Sequence, residues 1–399
     1  MSTTEQPLSG LRVFDLSQGV AGPYCTMMLA AQGADVIKVE PPEGDWLRAG
    51  RNRFRGHTPA SITVNIGKRS LAIDLKHPDG AALARRIAAS CDIVIESFRP
   101  GVVTKFGLDH ATLSADRPDL IYASISGFGS TGPLGKRGVI DQIMQAFSGW
   151  MTLNASEDGT PQRTRNVVLA DQITGLYAYQ AISSAIIGRL RFNRGAHIDI
   201  SLLGAMAAFL SPRITGHVLS DGQASAAQFA PPTGEYPTDD GLLMLAVFKP
   251  GEFERLCKNL KRDDLPQDAR FATPAARAEH AEALRAEIAR SLKGRTALEW
   301  EGVLSDGGTM ASAVRDIGAF IDTPQTVALD LVQKVDLPEF GTCPLVRLPG
   351  AAPWSDREGA LQMPDIGQHS AEILRETGLT TAEIDHLLTD GCIRAAKTP

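Results

Sequence analysis

The chain has 399 residues, enough for two or three domains with a sizeable core. Its 46 acidic and 40 basic side chains leave a formal charge of −6, and a mixed, mildly acidic surface excludes the basic face that nucleic-acid binding needs. Five cysteines (Cys25, Cys91, Cys257, Cys343, Cys392) stand far apart, with no Cys/His group at zinc spacing, so neither a disulfide framework nor a metal site is expected. MSTTEQPLSG has no secretory features, and the longest uncharged stretch, 173–188, is too short for a bilayer span; a cytoplasmic protein with no membrane partner is the expectation.

The first 130 residues alternate between apolar runs and helical segments. LRVFDLS (11–17) reads as a strand, followed by a helix started by Pro23 and running to about Gln32. Strands are expected at 34–40 and 71–76, a helix at 78–90, and strands again at 91–98 and 120–126. Apolar strands separated by helices predict a mostly parallel, Rossmann-like α/β sheet. From 141 to 208 the chain is helical and poor in charge, so helices such as 173–190 and 202–210 must be buried on more than one side, in a core or in a subunit interface. Residues 211–240, rich in Gly, Pro, Ser and Gln, read as a linker. A separate α+β unit follows at 241–317, opening on the strand LLMLAVF and holding helices at 275–292 and 297–304. A return linker is placed at 318–329, and residues 330–399 rejoin the large domain of 1–210 through strand-like segments and a final helix.

Several segments invite a chemical reading. GFGSTG (127–132) has dinucleotide spacing, but Pro133, Gly135, Lys136 and Arg137 follow where a helix should open, so a glycine-rich loop beside a ligand fits better. No G-x-S-x-G elbow exists to anchor a serine triad, and His369 reads as structural. Asp171, in NVVLADQITGLYAYQ, stands where an apolar run meets a long uncharged helix. It is either an N-cap or, ionised by the helix terminus and partly desolvated, a nucleophile towards an acyl carbon. Arg99 and Lys105 come just after a strand, and KRSLAIDLK adds Lys68, Arg69 and Lys76; these are either solvated surface or a phosphate site.

Taken together, LSGLRVFDLSQGVAGPYCTMMLAAQGADVIKVEPPEGD, KRSLAIDLK, DIVIESFRPGVVTKFGLD, SISGFGSTGP, the Asp171 helix with GAHIDISLLGAM, DARFATPAAR and IGQHSAEILRETG resemble the class III CoA-transferase family. This is the CaiB/BaiF type, which includes formyl-CoA and carnitine CoA-transferases. The resemblance implies a large Rossmann-like domain with a smaller inserted domain, two ring-shaped chains interlocked as a homodimer, and Asp171 as the catalytic aspartate. It further implies CoA and acyl-CoA as substrates with no tightly bound cofactor and no metal, and a small carboxylic acid as partner. The positions matching the family's CoA contacts are Val20, Ala21, Ile73, Lys76, Ser97, Phe98, Arg99, Lys105 and Asp141. N–H groups of the Gly127–Gly132 region are candidate oxyanion donors, and Phe147 and Trp150 are candidates for the acceptor pocket.

Ile140 departs from the pattern, since family transferases often carry an aromatic residue before the acid and the related α-methylacyl-CoA racemases carry an acid/base His there. A side chain that cannot move protons weakens the racemase alternative. A non-catalytic CoA-binding protein is the other alternative. The glycine-rich loop of formyl-CoA transferase is replaced by QFAPPTGEYPTDDG, so formyl-CoA and oxalate are not assumed.

Overall fold

A computed structural model describes residues 6–156, 158–223, 231–249, 251–338, 340–356 and 361–396. The chain divides into two units, one of residues 1–219 and 332–399 and one of residues 220–331.

In the larger unit the apolar runs form β1 (Arg12–Asp15), β2 (Asp35–Glu40), β3 (Arg69–Ile73), β4 (Ile93–Glu96), β5 (Ile121–Ser126) and β6 (Ala196–Ser201). These pair in parallel in the order β3-β2-β1-β4-β5-β6, and Ile393–Arg394 adds an antiparallel edge beside β3. Successive side chains point to opposite faces. Val13, Ile93, Ile95, Ile121 and Ala123 pack with the helices Ala21–Ala31 and Leu169–Phe192, whereas Phe14, Ile37, Val94 and Tyr122 pack with helix Gly80–Ala89 and with Ile373, Leu374 and Ile384. Cover on both faces explains why these strands read as continuous apolar runs. The order runs outward from β1 to β3 and then restarts at β4 on the other side of β1, which opens a crevice at the C-terminal ends of β1 and β4, where doubly wound sheets bind ligands.

Strand β6 lies in a segment read as helical. It is an edge strand whose exposed His197 and Asp199 alternate with half-buried Ala196, Ile198 and Ile200. The long helix Leu169–Phe192 approaches Ala21–Ala31 closely because of Gly175: a Cβ there would lie 2.7 Å from the Ala21 carbonyl oxygen. Its inner face (Ala170, Ile173, Ala178, Ile182, Ile186) is core, but Leu176, Ile187, Leu190 and Phe192 are exposed, as are Ile214, Val218 and Leu219.

Within 211–240, read as a linker, Ser211–Leu219 is a helix of the larger unit and Gly234–Pro237 is a strand, β7; residues 224–230 lie outside the described residues. In the smaller unit β7 pairs antiparallel with β8 (Leu242–Ala246), which pairs with β9 (Met310–Ala313). Tyr236, Leu243 and Leu245 pack there against Phe253, Leu256, Leu284, Ile288 and Trp300. The helix expected over 275–292 is two, Pro274–Glu279 and Ala281–Ser291, parted at His280. Residues 318–329, read as a return linker, are largely helical, in Ile317–Ile321 and Pro324–Ala328, capped by the side chains of Asp316 and Thr323.

The chain re-enters the larger unit through the hairpin β10 (Val332–Leu337) and β11 (Gly341–Val346), then helices Ser370–Glu376 and Thr381–Thr389. Among the described residues no single helix is long and apolar enough to cross a membrane.

Candidate active site

Beneath the loop that follows β1 lie three buried ion pairs: Lys68–Asp15 (3.0 Å), Lys38–Asp45 (3.1 Å) and Arg48–Glu40 (2.8 Å). Asp15 also accepts from the Ser17 N–H (3.1 Å) and from the hydroxyls of Ser17 and Thr26. Burial alone raises a carboxyl pKa; here Lys68, Lys38 and the two hydroxyls overcome it and hold Asp15 at about 2. Lys68 is therefore neither surface nor phosphate ligand, and Arg69 is likewise committed, to Asp35, Glu372 and Glu376.

The same network fixes the loop above it. Lys38 donates to the Ser17 carbonyl, the Gly19 N–H donates to Asp45 (3.0 Å), and the Gln18 N–H donates to Ser97 Oγ after β4 (2.9 Å). Gly19 has φ +75° and lies under Trp46, where a Cβ would stand 2.7 Å from the indole.

Val20 and Ala21 open helix Ala21–Ala31, and Asp171 is the third residue of helix Leu169–Phe192. With Gly175 holding the helices together, two helix starts, each with partial positive charge, converge at the crevice. Asp171 is not the N-cap. Val168 holds that position, and the capping carboxylate comes from Asp141 at the start of helix Asp141–Phe147: Oδ2 accepts the N–H of Ala170 (2.6 Å) and of Asp171 (3.3 Å). Asp141 Oδ1 accepts from the Gln145 amide, and Gln145 Oε1 in turn accepts the Thr164 N–H (2.9 Å). Asp141 is only 2% exposed, and both its oxygens are engaged inside the protein.

No group among the described residues donates a hydrogen bond to the Asp171 carboxylate. Burial, then the negative charge of Asp141, push its pKa up to about 7. The helix start is thus not the only influence on this carboxyl: Asp141 adjoins it, and burial together with that charge works against ionisation.

A cavity of about 580 Å³ covers this floor, lined by Asp171, Asp141, Val20, Ala21, Gln18, Ser97, Phe98, Trp46 and Gly127 among others. A larger cavity of about 1210 Å³ shares Gln18, Trp46 and Phe98 with it and includes Ile73 and Lys76. A third, of about 490 Å³, holds Arg99 and Arg137 and shares Ser97, Phe98 and Gly127 with the first. An apolar platform at Phe98 thus joins three spaces across the sheet edge, one of which contains an unpartnered carboxyl.

The profile of CoA-transferase family III matches residues 8–370. The chain belongs to that family. The succinate–glutarate CoA-transferase of Agrobacterium fabrum is 35% identical over 94% of this chain and 97% of its own length. The succinyl-CoA–D-citramalate CoA-transferase of Chloroflexus aurantiacus is 31% identical over 95% of this chain and 96% of its own. A crystal structure of a CaiB/BaiF family protein from Brucella suis superposes with a TM-score of 0.82 at 34% identity, covering 94% of this chain and all (100%) of that one.

For this CoA-transferase the sequence readings distribute unevenly. Val20, Ala21, Ser97, Phe98 and Asp141 share the Asp171 cavity, Ile73 and Lys76 line the larger one, and Arg99 lines the third. Lys105 is exposed in the turn Val103–Phe106 and lines none of the three, although its neighbours Val102 and Phe106 line the largest. Of Gly127, Gly129 and Gly132, only Gly127 reaches the Asp171 cavity. Phe147 packs edge-on against Phe128 (5.0 Å between centroids) and Trp150 donates to Thr164 (2.9 Å), both outside that cavity. Ile140 stands exposed at its rim. His369 is structural: its Nδ1 accepts the Ser70 N–H (3.1 Å) and its own N–H donates to the Ser70 carbonyl (3.0 Å). Sequence reasoning missed Gln18, Gly19 and Trp46. The signal for Trp46 was a single aromatic in the Gly-, Pro- and charge-rich stretch PPEGDWLRAG.

Proposed function

We propose that this enzyme moves CoA from an acyl-CoA donor to a carboxylic acid through covalent intermediates on Asp171. One observation carries the reading: a half-buried carboxyl with no hydrogen-bond donor among the described residues, set at two converging helix starts on the floor of a cavity. The ionised Asp171 attacks the thioester carbonyl and expels CoA thiolate, giving a mixed anhydride. The thiolate then attacks the aspartyl carbonyl, releasing the donor acid and leaving an aspartyl-CoA thioester. An acceptor carboxylate attacks this thioester, and the returning thiolate attacks the acceptor's carbonyl, freeing Asp171 and the new acyl-CoA. Acyl activation passes along unchanged, so no ATP is required, and water must be kept from the anhydride. The first-turn N–H groups at Val20 and Ala21 are better placed than the glycine run to stabilise the oxyanions.

The pantetheine arm is assigned to Val20, Ala21, Ser97 and Phe98, and the nucleotide end to Ile73 and Lys76, with Arg99 and Lys105 reaching phosphates from the rim. Asp141 acts as a positioning residue. Relatives named for succinyl-CoA with glutarate or citramalate make succinyl-CoA and dicarboxylic acids the first substrates to test. The exposed apolar side chains of helices Leu169–Phe192 and Ser211–Leu219 support an interlocked homodimer, measurable by light scattering. Five buried, unpaired cysteines fit a reducing cytoplasm.

Mass spectrometry after incubation with succinyl-CoA tests the mechanism. The expected result is an acyl or CoA adduct on the peptide containing Asp171. A folded enzyme left unmodified by a broad donor panel overturns it, and solvent deuterium at the α-carbon of an acyl-CoA without any acceptor acid would favour an isomerase.

A further inference from the structure

Gln145 shares the short helix Asp141–Phe147 with Asp141, and a spacing of four puts the two side chains on one face. Gln145 is 0% exposed, and a buried amide needs partners at both of its ends. The Thr164 N–H, which can only donate, meets one end at 2.9 Å and so fixes that atom as Oε1. The other end is therefore the NH₂ group, which donates to Asp141 Oδ1 (2.5 Å). An ionised glutamate would accept at both ends, and a leucine would serve neither.

The two bonds converge on one place. Asp141 Oδ2 accepts the N–H groups of Ala170 (2.6 Å) and Asp171 (3.3 Å), so a rotation of that carboxylate would uncap the helix that carries Asp171. Donation to Oδ1 opposes the rotation. Thr164 belongs to the segment leading into the same helix, where Arg163, Arg165, Asn166 and Val167 are exposed. Val168, which ends that segment and lines the Asp171 cavity, supplies no side-chain cap. Gln145 therefore holds the lead-in by main chain, while Trp150 Nε1 donates to the Thr164 hydroxyl (2.9 Å).

We propose that Gln145 is a positioning residue for CoA transfer: it locks the Asp141 cap and the 164–168 lead-in into one arrangement, and through them the Asp171 carboxyl. Gln145 does not line the Asp171 cavity, so it acts through Asp141 and Thr164. This inference rests on Asp171 as the nucleophile. A reacting group misplaced by about 1 Å loses on the order of 10²-fold in rate, which sets the size of effect that such a lock controls.

Rapid-quench mass spectrometry of the Asp171 peptide after mixing with succinyl-CoA measures the step. Gln145→Leu removes both bonds and is expected to slow adduct formation about 10- to 100-fold, with KM for the donor within about twofold of wild type. Gln145→Glu keeps the shape and the acceptor for Thr164. In acid the new carboxyl shares one proton with Asp141 and preserves the pair; when that proton leaves, two charges stand beside Asp171 and resist its ionisation. The rising limb of kcat/KM is therefore expected at higher pH than in the wild type, a displacement that loss of packing alone does not produce. If Gln145→Leu fails to fold, the Gln145→Glu profile still decides. A wild-type rate of adduct formation in folded Gln145→Leu, or an unmoved limb in Gln145→Glu, would overturn this inference and leave the mechanism standing. A wild-type enzyme that forms no adduct on Asp171 would overturn both.

Discussion

Asp15, fully buried, and Asp171, half-buried, are both acids of the larger unit, one ending β1 and one opening the long helix, and their electrostatics are opposite. Asp15 faces two ammonium groups and two hydroxyls and titrates at about 2. Asp171 receives no hydrogen bond from the described residues, faces Asp141, and titrates at about 7. Burial raises the pKa of both; the difference lies in what surrounds each carboxyl. An acid supplied with partners is scaffold, and one without them suits the nucleophilic role proposed for Asp171.

The largest test of that contrast is Asp171→Asn. CoA exchange is expected to fall by about 10⁴-fold or more, with a melting temperature equal to or above that of the wild type, because no hydrogen bond is lost. Asp15→Asn should do the reverse, destabilising the fold by about 3–5 kcal/mol in urea titrations by leaving Lys68 without its counter-charge. Gly175→Ala tests the helix contact that positions Asp171. Its Cβ meets the Ala21 carbonyl, so a loss of about 1–3 kcal/mol is expected, together with a fall in kcat.

The pH dependence is subtler. In the proposed mechanism the ionised form attacks, so kcat/KM for the donor should rise with pH through about 7. Asp141→Asn removes the smaller of the two causes and should move that limb to lower pH, still above the ordinary carboxyl value. An unmoved limb would show that the Asp141 charge does not act. In stability the two acids run in opposite directions. The contribution of Asp15 is full above about pH 4 and lost as pH falls toward 2; that of Asp171 is present in acid and lost as pH rises from about 4 to about 7.

Much of this fold was legible because β1 to β5 are covered on both faces and must be apolar throughout. Strand β6 was not, since an edge strand tolerates His197 and Asp199 on its open side. The Asp171 position was legible as a helix start and as a family motif. Its cap was not, because Asp141 belongs to a separate helix and no local pattern ties a capping side chain to a distant N–H. Lys68 was misread for a related reason: nothing in KRSLAIDLK shows that Asp15 lies beneath it, and a lysine without that partner belongs at the surface.

The contact between Gly175 and the Ala21 carbonyl sets the position of Asp171 by main chain against main chain. Side chains lining the surrounding walls are thereby free to drift without displacing the reagent. On the proposed mechanism, acceptor preference can then diversify through those walls while a glycine whose Cβ would meet main chain holds the floor.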